Sequence, residues 1–133
     1  LIQGREFSVD LFADIKGIPQ LIVPRERLSV RGGEVMTSKI NMNESIIDLV
    51  EALSRRIALT GPCNIQGILD ENGTFFFTDL NLRFGSGSVH TIAAGGNIPL
   101  MIYQEMAGQN FLEPSIQDHS VMTRYPENIF HHS

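Results

Sequence analysis

The chain has 133 residues, of which 15 are acidic, 10 are basic and 42% are hydrophobic, and its formal net charge is −5. This length allows one domain or a large part of one, and the composition excludes a disordered, collagen-like or low-complexity chain. Because the only lysines are Lys16 and Lys39, the sequence lacks both the cationic face of a nonspecific nucleic-acid binder and a lysine-bearing phosphate loop.

Cysteine content and hydropathy bear on the compartment. Cys63 is the single cysteine and cannot form an internal disulfide, and no segment has the roughly 20 apolar residues of a membrane helix or the pattern of a signal peptide. These features favour a cytoplasmic protein that acts away from membranes. The chain opens on Leu1 rather than Met and runs directly into strand-like sequence, which favours a piece of a longer protein.

Two strands and a polar segment are predicted in the first third. Residues alternate between polar and apolar over Glu6–Ala13, and Pro19–Pro24 is apolar and β-branched, so a β-hairpin is predicted there. The polar segment Arg25–Val35 contains Gly32-Gly33 and is expected to form an exposed loop or sheet edge.

Three helices are predicted further along. The first starts at an Asn43 cap, carries apolar residues with helical spacing at 46, 50, 53 and 57, and ends at Gly61-Pro62. A short second helix covers Val89–Ala94. The third follows Asn97 and has a buried stripe formed by Leu100, Tyr103, Met106 and Ala107. A closing strand is expected within 119–130.

The clearest local signal is a hairpin between Cys63–Leu69 and Thr74–Leu82. Its turn is predicted at Asn72-Gly73, the pair favoured in a two-residue type I′ turn. That turn sets Gln66 opposite Asp79 and Asn64 opposite Asn81. Strict alternation along the second strand places a set of residues on one face, Phe75, Phe77, Asp79, Asn81 and Arg83.

The polar members of this face suit a hard divalent cation. Asp79 supplies charge, while Gln66 and Asn81 supply neutral oxygen ligands. Arg83 is suited to a bidentate contact with a phosphate or carboxylate. A single carboxylate leaves the cation incompletely neutralised, so a nucleotide phosphate is the natural further ligand. The alternative is a solvated sheet face whose polar residues keep the edge soluble.

Four segments carry a resemblance to a known family. Asn64-Ile65-Gln66 and Asp79-Leu80-Asn81-Leu82-Arg83-Phe84 resemble the N-x-Q and E-x-N-x-R signature of ATP-grasp enzymes, with greatest similarity to the carbamoyl-phosphate synthetase large-chain subgroup. The segment 4–10 is similar to the strand after the nucleotide hinge in that family. Arg31-Gly32-Gly33-Glu34 stands at the place of its phosphate-side loop.

The resemblance implies a fold and a set of binding residues. The fold is α+β, a mostly antiparallel sheet flanked by helices, and residues 1–133 form a single C-terminal ATP-grasp subdomain without its upstream half. The implied metal ligands for Mg²⁺ or Mn²⁺ are Gln66, Asp79 and Asn81, with Asp79 bridging two ions. Glu6, Arg31 and Asn64 are implied in nucleotide binding, with Arg31 at the triphosphate and Glu6 at the ribose or a neighbouring base in the hinge. The implied catalytic residue is Arg83, at the transferred phosphoryl group or the acceptor carboxylate.

The reaction that the resemblance implies uses ATP to activate a carboxylate or bicarbonate as an acyl phosphate, which an amine then attacks. The expected partners are ATP and small carboxylate and amine substrates, with a homodimer left open, and the fragment alone is expected to be inactive. Two departures are the shorter Asp79 in place of the usual Glu and Leu82 in place of Pro in N-P-R. The alternative is a noncatalytic binding or assembly module that kept the fold without turnover.

Four other features are weighed. The loop Gly85-Ser86-Gly87-Ser88 fits an anion-binding loop or a plain connector equally well. His90 is expected at the surface, with a substrate contact as the alternative, and Cys63 is expected to be a buried small residue rather than a nucleophile. The pair His131-His132 is expected to be a frayed or added terminus rather than a metal site.

Overall fold

A computed structural model describes residues 2–125, 127 and 130. These residues form six strands, β1 (Arg5–Ala13), β2 (Pro19–Arg31), β3 (Glu34–Ile40), β4 (Gly61–Leu69), β5 (Phe75–Asn81) and β6 (Val121–Thr123). They also form three helices, α1 (Glu44–Arg56), α2 (Ser88–Ala93) and α3 (Ile98–Met106). The strands make one antiparallel sheet in the order β5-β4-β1-β2-β3-β6, which confirms the α+β prediction.

The sheet is covered on both faces. The face under α1 packs a cluster of eleven buried residues, Phe7, Val9, Leu11, Ile22, Ile46, Val50, Leu59, Cys63, Ile65, Leu69 and Phe75. The opposite face packs a second cluster that includes residues of α3, namely Phe12, Leu21, Val23, Ile40, Ala94, Ile98 and Met101. Because β1 contributes to both clusters, its residues from Phe7 to Ala13 are all buried. This strand is therefore the centre of the molecule.

Helix α1 forms where its cap and spacing predict it. The Asn43 side chain accepts a hydrogen bond from the backbone N–H of Ile46 (3.0 Å), and Ile46 and Val50 are buried against the sheet. The predicted end at Gly61-Pro62 is wrong, since the helix ends at Arg56 and Ala58 already has a φ of 51°. Gly61 and Pro62 instead begin β4.

The prediction of an exposed loop or sheet edge over Arg25–Val35 is wrong for the loop and for the buried Arg25, although residues 28–34 are exposed. Strand β2 continues to Arg31 and turns through Gly32 and Gly33, whose φ angles of 58° and 83° suit a two-residue hairpin, into β3. Arg25 is 1% exposed because its charge is paired with a carboxylate on the neighbouring strand. Charged residues suggested solvent there, whereas the strand holds a buried ion pair.

The loop between β4 and β5 has three residues, 71–73, rather than the predicted two. Asp70 and Thr74 close it, with the Asp70 N–H donating to the Thr74 carbonyl (2.9 Å) and the Asp70 carboxylate accepting from the Thr74 N–H (2.7 Å). Gly73 has a φ of 82°, as the last residue of such a loop requires.

A β-bulge at Thr78 offsets this extra loop residue. Gly67 pairs with Phe77 while Gln66 pairs with Asp79, which leaves Thr78 without a partner. The predicted pairings of Gln66 with Asp79 and of Asn64 with Asn81 are therefore confirmed.

The predicted grouping of aromatic and polar residues on one face of β5 is wrong. Phe75 pairs with Leu69 and belongs to the cluster under α1, and Phe77 is two residues along the same side. The bulge turns Asp79 and Asn81 to the opposite face.

The two later helices lie close to their predicted positions. The Asn97 side chain caps α3 by accepting from the Leu100 N–H (3.1 Å). The predicted stripe is wrong, since Tyr103 and Met106 are 63% and 84% exposed while Ile98, Met101 and Gln104 face inward. Apolar residues occur on several sides of this helix, so its periodicity was ambiguous.

The sheet ends at the edge strand β6, which pairs with β3 and is shorter than the predicted strand over 119–130. Pro126, His131 and His132 lie outside the described residues. None of the helices within the described ranges is long and apolar enough to cross a membrane.

Candidate functional site

A cavity of about 150 Å³ opens on the sheet face opposite α1, between strands β1, β2 and β4 and the loop after β5. The residues that line it are Ser8, Arg25, Arg27, Gly33, Val35, Asn64, Gln66, Arg83, Gly85, Ser86 and Gly87. Three of them carry guanidinium groups, and no carboxylate residue is among them. The cavity is therefore suited to a small oxyanion, and its volume is well below the several hundred Å³ of a site that encloses a drug-sized ligand.

The floor of the cavity rests on the buried carboxylate of Asp10, in the middle of β1. Its two oxygens accept hydrogen bonds from Arg25 Nε (2.9 Å) and Nη2 (3.3 Å) and from Asn64 Nδ2 (2.7 Å). They also accept from the hydroxyl groups of Ser88 (3.0 Å) and Thr91 (2.5 Å), both on α2. One carboxylate thus joins side chains of β2, β4 and α2.

A second arginine of the cavity, Arg27, contacts groups on β1, on β4 and in the β2–β3 turn. Arg27 Nη1 lies 3.2 Å from the carboxylate of Glu6 and 3.5 Å from the carbonyl oxygen of Gln66. Arg27 Nη2 lies 3.5 Å from the backbone carbonyl of Gly33, in the β2–β3 turn. Arg27 therefore links the hairpin turn to the strand that carries Gln66.

Three polar side chains follow one another along β5 and just beyond it. Asp79 accepts from Asn81 Nδ2 (2.8 Å), and Asn81 in turn accepts from Arg83 Nη2 (3.1 Å). The other Asp79 oxygen accepts from the N–H of Leu80 (2.9 Å). Arg83 lines the cavity, and Asp79 and Asn81 lie beside it, at the rim, because β5 is the edge strand next to β4.

The glycines of the loop after β5 are there for close approach. A Cβ at Gly85 would lie 2.7 Å from Asn64 Nδ2, and one at Gly87 would clash with Arg25 Nη1. From outside, Arg124 donates a hydrogen bond to the Ser86 carbonyl (2.7 Å). The loop thus packs directly on two buried polar side chains, and both expectations for it, an anion-binding loop and a connector, stay open.

The structure brings most of the predicted site residues together. Asn64, Gln66 and Arg83 line the cavity, and Asp79 and Asn81 lie across from Gln66 and Asn64. Glu6 reaches the site only through Arg27.

Arg31 lies apart from the cavity. It is exposed at the end of the β2–β3 hairpin and lines a separate depression with Glu34, Met36, Arg124 and Tyr125. Arg31 is thus not among the residues that line the cavity, and its contact with a triphosphate stays a prediction.

Arg25 and Arg27 have no role predicted from the sequence, and Asp10 enters there only as the end of the family-like segment 4–10. Asp10 stands in the same alternating segment as Glu6, four residues on, and that spacing was the available signal. The two arginines were assigned to an exposed loop, so their convergence on the cavity could not be recognised.

The side chains at the rim could supply some of the oxygen ligands of Mg²⁺, and a bound substrate would have to supply the rest. Asp79 supplies a carboxylate, and Gln66 and Asn81 supply amide oxygens, which are hard ligands of the kind that Mg²⁺ takes. Within the described residues no cluster of three or more His, Cys, Asp or Glu side chains could hold a metal alone. Phosphate oxygens would have to complete such a site.

Two residues weighed from the sequence lie away from the cavity. His90 is buried, with Nδ1 2.8 Å from the Ser38 hydroxyl and Nε2 3.2 Å from the Ser120 hydroxyl, so the expectation of a surface histidine is wrong. Burial and the nearby Arg25 charge lower the pKa of His90, while Asp10 acts in the opposite direction. Cys63 is buried as expected, and burial raises the pKa of its thiol.

A family model described as ATP-grasp in the biosynthetic pathway with Ter operon matches residues 1–128. Among curated proteins, none matches the chain.

Several solved structures share the fold. Biotin carboxylase from Campylobacter jejuni, in a β,γ-ATP complex, is 17% identical over 93% of this chain and 30% of its own, with a TM-score of 0.71. N5-carboxyaminoimidazole synthetase from Staphylococcus aureus, complexed with ADP, is 14% identical over 92% of this chain and 35% of its own, with a TM-score of 0.72. The biotin carboxylase domain of Hydrogenobacter thermophilus 2-oxoglutarate carboxylase, in complex with MgADP, ADP and bicarbonate, is 16% identical over 93% of this chain and 30% of its own, with a TM-score of 0.74. The chain thus spans about a third of the length of each of these three proteins.

Proposed function

Because the chain belongs to the family of ATP-grasp proteins from the biosynthetic pathway with the Ter operon, we propose that it forms the metal- and anion-binding wall of an ATP-dependent ligase. The ligase activates a carboxylate or bicarbonate as an acyl phosphate, which an amine captures. The family assignment agrees with the resemblance found in the sequence. The activity belongs to the whole protein, and these residues contribute one side of its site.

One observation carries the proposal: the rim that holds Asp79 and Asn81 adjoins a cavity lined by three arginines. Gln66 belongs to both, since it lines the cavity and pairs with Asp79. Oxygen ligands for a cation therefore lie next to guanidinium groups for an oxyanion, which is the pairing that phosphoryl transfer to a carboxylate requires.

Each residue then has a defined task. Gln66, Asp79 and Asn81 would hold Mg²⁺, which supplies Lewis-acid charge to phosphate oxygens when it is bound. Arg83 is oriented by Asn81 and by the backbone carbonyl of Phe84 (2.9 Å), so that its charge faces the cavity. There it stabilises the negative charge on the transferred phosphoryl group or on the acceptor carboxylate. Arg27 Nη1 lies 3.5 Å from the side-chain carbonyl oxygen of Gln66 and would orient that oxygen as a cation ligand.

The solved structures that share the fold support this class of ligand. Their names and complexes include ATP, ADP, magnesium and bicarbonate. We propose the same classes for this protein: a nucleotide at the rim and a small carboxylate or bicarbonate in the cavity.

The experiment measures ATP turnover by the complete gene product with panels of carboxylates and amines. We expect Asp79→Asn and Asn81→Ala to lower kcat by about two orders of magnitude or more, because removing one group that stabilises transition-state charge typically lowers kcat by that factor. Asp48→Asn, an exposed carboxylate on α1, is the matched control and should keep the native rate. Native rates in both rim variants would refute the metal assignment.

A noncatalytic module is the second candidate, and one observation favours it. Asp79 is one methylene shorter than the usual Glu, and both of its oxygens are engaged within its own strand. In that case the complete protein would bind ATP but would not turn it over with any acceptor. Turnover above that of the Asp79→Asn variant would exclude this candidate.

A further inference from the structure

The cluster around Asp10 does more than fill the interior of the sheet. Asp10 is 1% exposed and is not among the residues that line the cavity, yet two of its partners, Arg25 and Asn64, are. Its other two partners, Ser88 and Thr91, are on the helix that directly follows the glycine loop. The carboxylate therefore fixes both the floor of the cavity, formed by Arg25 and Asn64, and the end of the Gly85–Gly87 loop that forms its wall.

The Gly85–Gly87 loop also packs directly on the two side chains of the floor. Gly85 sits against Asn64 and Gly87 sits against Arg25, so closely that no Cβ would fit at either position without movement. A displacement of either buried side chain would consequently displace the loop. The position of the loop backbone is thus set by the two side chains that Asp10 fixes.

The floor also contains hydrogen-bond donors without a protein acceptor. Arg25 Nη1 and Arg27 Nε are buried, and neither has an acceptor among the described residues. Buried donors are nearly always paired in folded proteins, so an orphaned pair at one cavity points to a ligand or an ordered group there. Arg25 Nη1 lies directly beneath Gly87.

We propose that Asp10 is a positioning residue for oxyanion binding: by holding Arg25, Asn64 and the start of α2 in one hydrogen-bonded cluster, it keeps the arginine floor and the Gly85–Gly87 wall in the shape that receives a phosphoryl or carboxylate group. This inference rests on the proposed function, since it concerns the same cavity. It adds Arg25 and gives a task to Asp10, which the family-like segment 4–10 contains without a role.

A merely structural role makes a different prediction. A buried ion pair contributes little net stability compared with well-packed neutral groups, so replacing both charges together can leave the protein folded. If Asp10 served stability alone, anion affinity would follow the folded fraction. If it positions the cavity, anion affinity falls even where the protein stays fully folded.

The test is inorganic phosphate binding to the complete protein, measured by calorimetry without ATP or Mg²⁺ and at a temperature where every variant is folded. Thr91→Val removes one donor to Asp10 with little change of shape, and we expect it to weaken phosphate binding about two- to tenfold. Asp10→Asn combined with Arg25→Gln removes both buried charges, and we expect a loss of more than about tenfold. Asp10→Asn alone leaves an unpaired buried arginine, which is strongly destabilising, so the double variant replaces it.

Ser54→Ala is the matched control, because Ser54 is a buried hydroxyl on α1 on the other side of the sheet. It should change thermal stability without changing the phosphate dissociation constant. Native affinity in both Thr91→Val and the double variant, or no phosphate binding by the native protein, would overturn the proposal. Phosphate binding is measured without ATP or Mg²⁺, so it can persist where ATP turnover is absent, and this inference and the proposed ATP-dependent activity can fail separately.

Discussion

At the scale of single residues, the chemistry of the site depends on which charges are buried and what they meet. Asp10 and Arg25 are each 1% exposed and pair through the Arg25 Nε at 2.9 Å. By contrast, the Glu51–Arg55 pair on α1 is exposed, and pairs of that kind contribute little to stability. A carboxylate–guanidinium pair therefore has a different weight in the two places, because water screens the exposed pair and not the buried one.

His90 gives a prediction at this scale. Its pKa is lowered in the folded protein, so the unfolded chain takes up the proton first as the pH falls. The contribution is complete above the unfolded pKa of about 6.5 and is lost as the pH falls from there through the lower folded pKa. We expect the midpoint of urea unfolding to fall over this range, and His90→Asn to remove that part of the pH dependence.

His119→Asn is the matched control for this prediction. His119 is exposed and has a φ of 63°, a conformation that asparagine tolerates well. The pH profile of this variant should match that of the native protein. An unchanged profile in His90→Asn would show that another group causes the pH dependence.

At the scale of elements, the β4–β5 hairpin decides which side chains reach the site. A three-residue loop alone would set Thr78 opposite Gln66 and turn Asp79 towards α1. The bulge at Thr78 absorbs one residue, and Asp79 and Asn81 return to the cavity face. The polar rim therefore depends on a loop and a bulge that offset each other.

This arrangement predicts an asymmetry between two deletions. Removing Thr78 takes out the unpaired residue, so Asp79 should stay opposite Gln66 and the protein should fold with a modest loss of thermal stability. Removing Leu80, which pairs with Ile65, should turn Asn81 away from Asn64. Cross-strand NOE contacts between residues 66 and 79 and between 64 and 81 distinguish the two. Equal disruption by both deletions would contradict the bulge assignment.

At the scale of the whole molecule, β1 joins two core layers that lie on opposite faces of one sheet. Phe7 packs edge-to-face on Phe75 under α1, with ring centroids 6.3 Å apart. Phe12 packs in the same way on Phe111, at 5.8 Å, in the other layer. Since the two layers share a strand, neither can lose its packing without disturbing the other.

We therefore expect Phe7→Ala and Phe12→Ala each to lower the free energy of unfolding by about 3–5 kcal/mol. Both should shift a single cooperative transition, measured by far-UV circular dichroism and by a tertiary probe in the same denaturant series. Phe77→Ala, at a 42% exposed position, is the control and should cost much less. Two separated transitions in either core variant would show that the layers unfold independently.

The sequence by itself determined the parts that depend on local pattern: the Asn43-capped helix, the β1–β2 and β4–β5 hairpins, and the pairing of Gln66 with Asp79 and of Asn64 with Asn81. The motifs that carry the ATP-grasp resemblance include this pair of strands. Tertiary structure alone decided the burial of Arg25, since a charged residue reads as exposed until its partner on another strand is known. It also decided the bulge and the packing of Gly85 and Gly87 on Asn64 and Arg25. Local propensity and periodicity act over a few neighbouring residues, whereas the shape of the cavity depends on side chains up to 81 positions apart, as from Asp10 to Thr91.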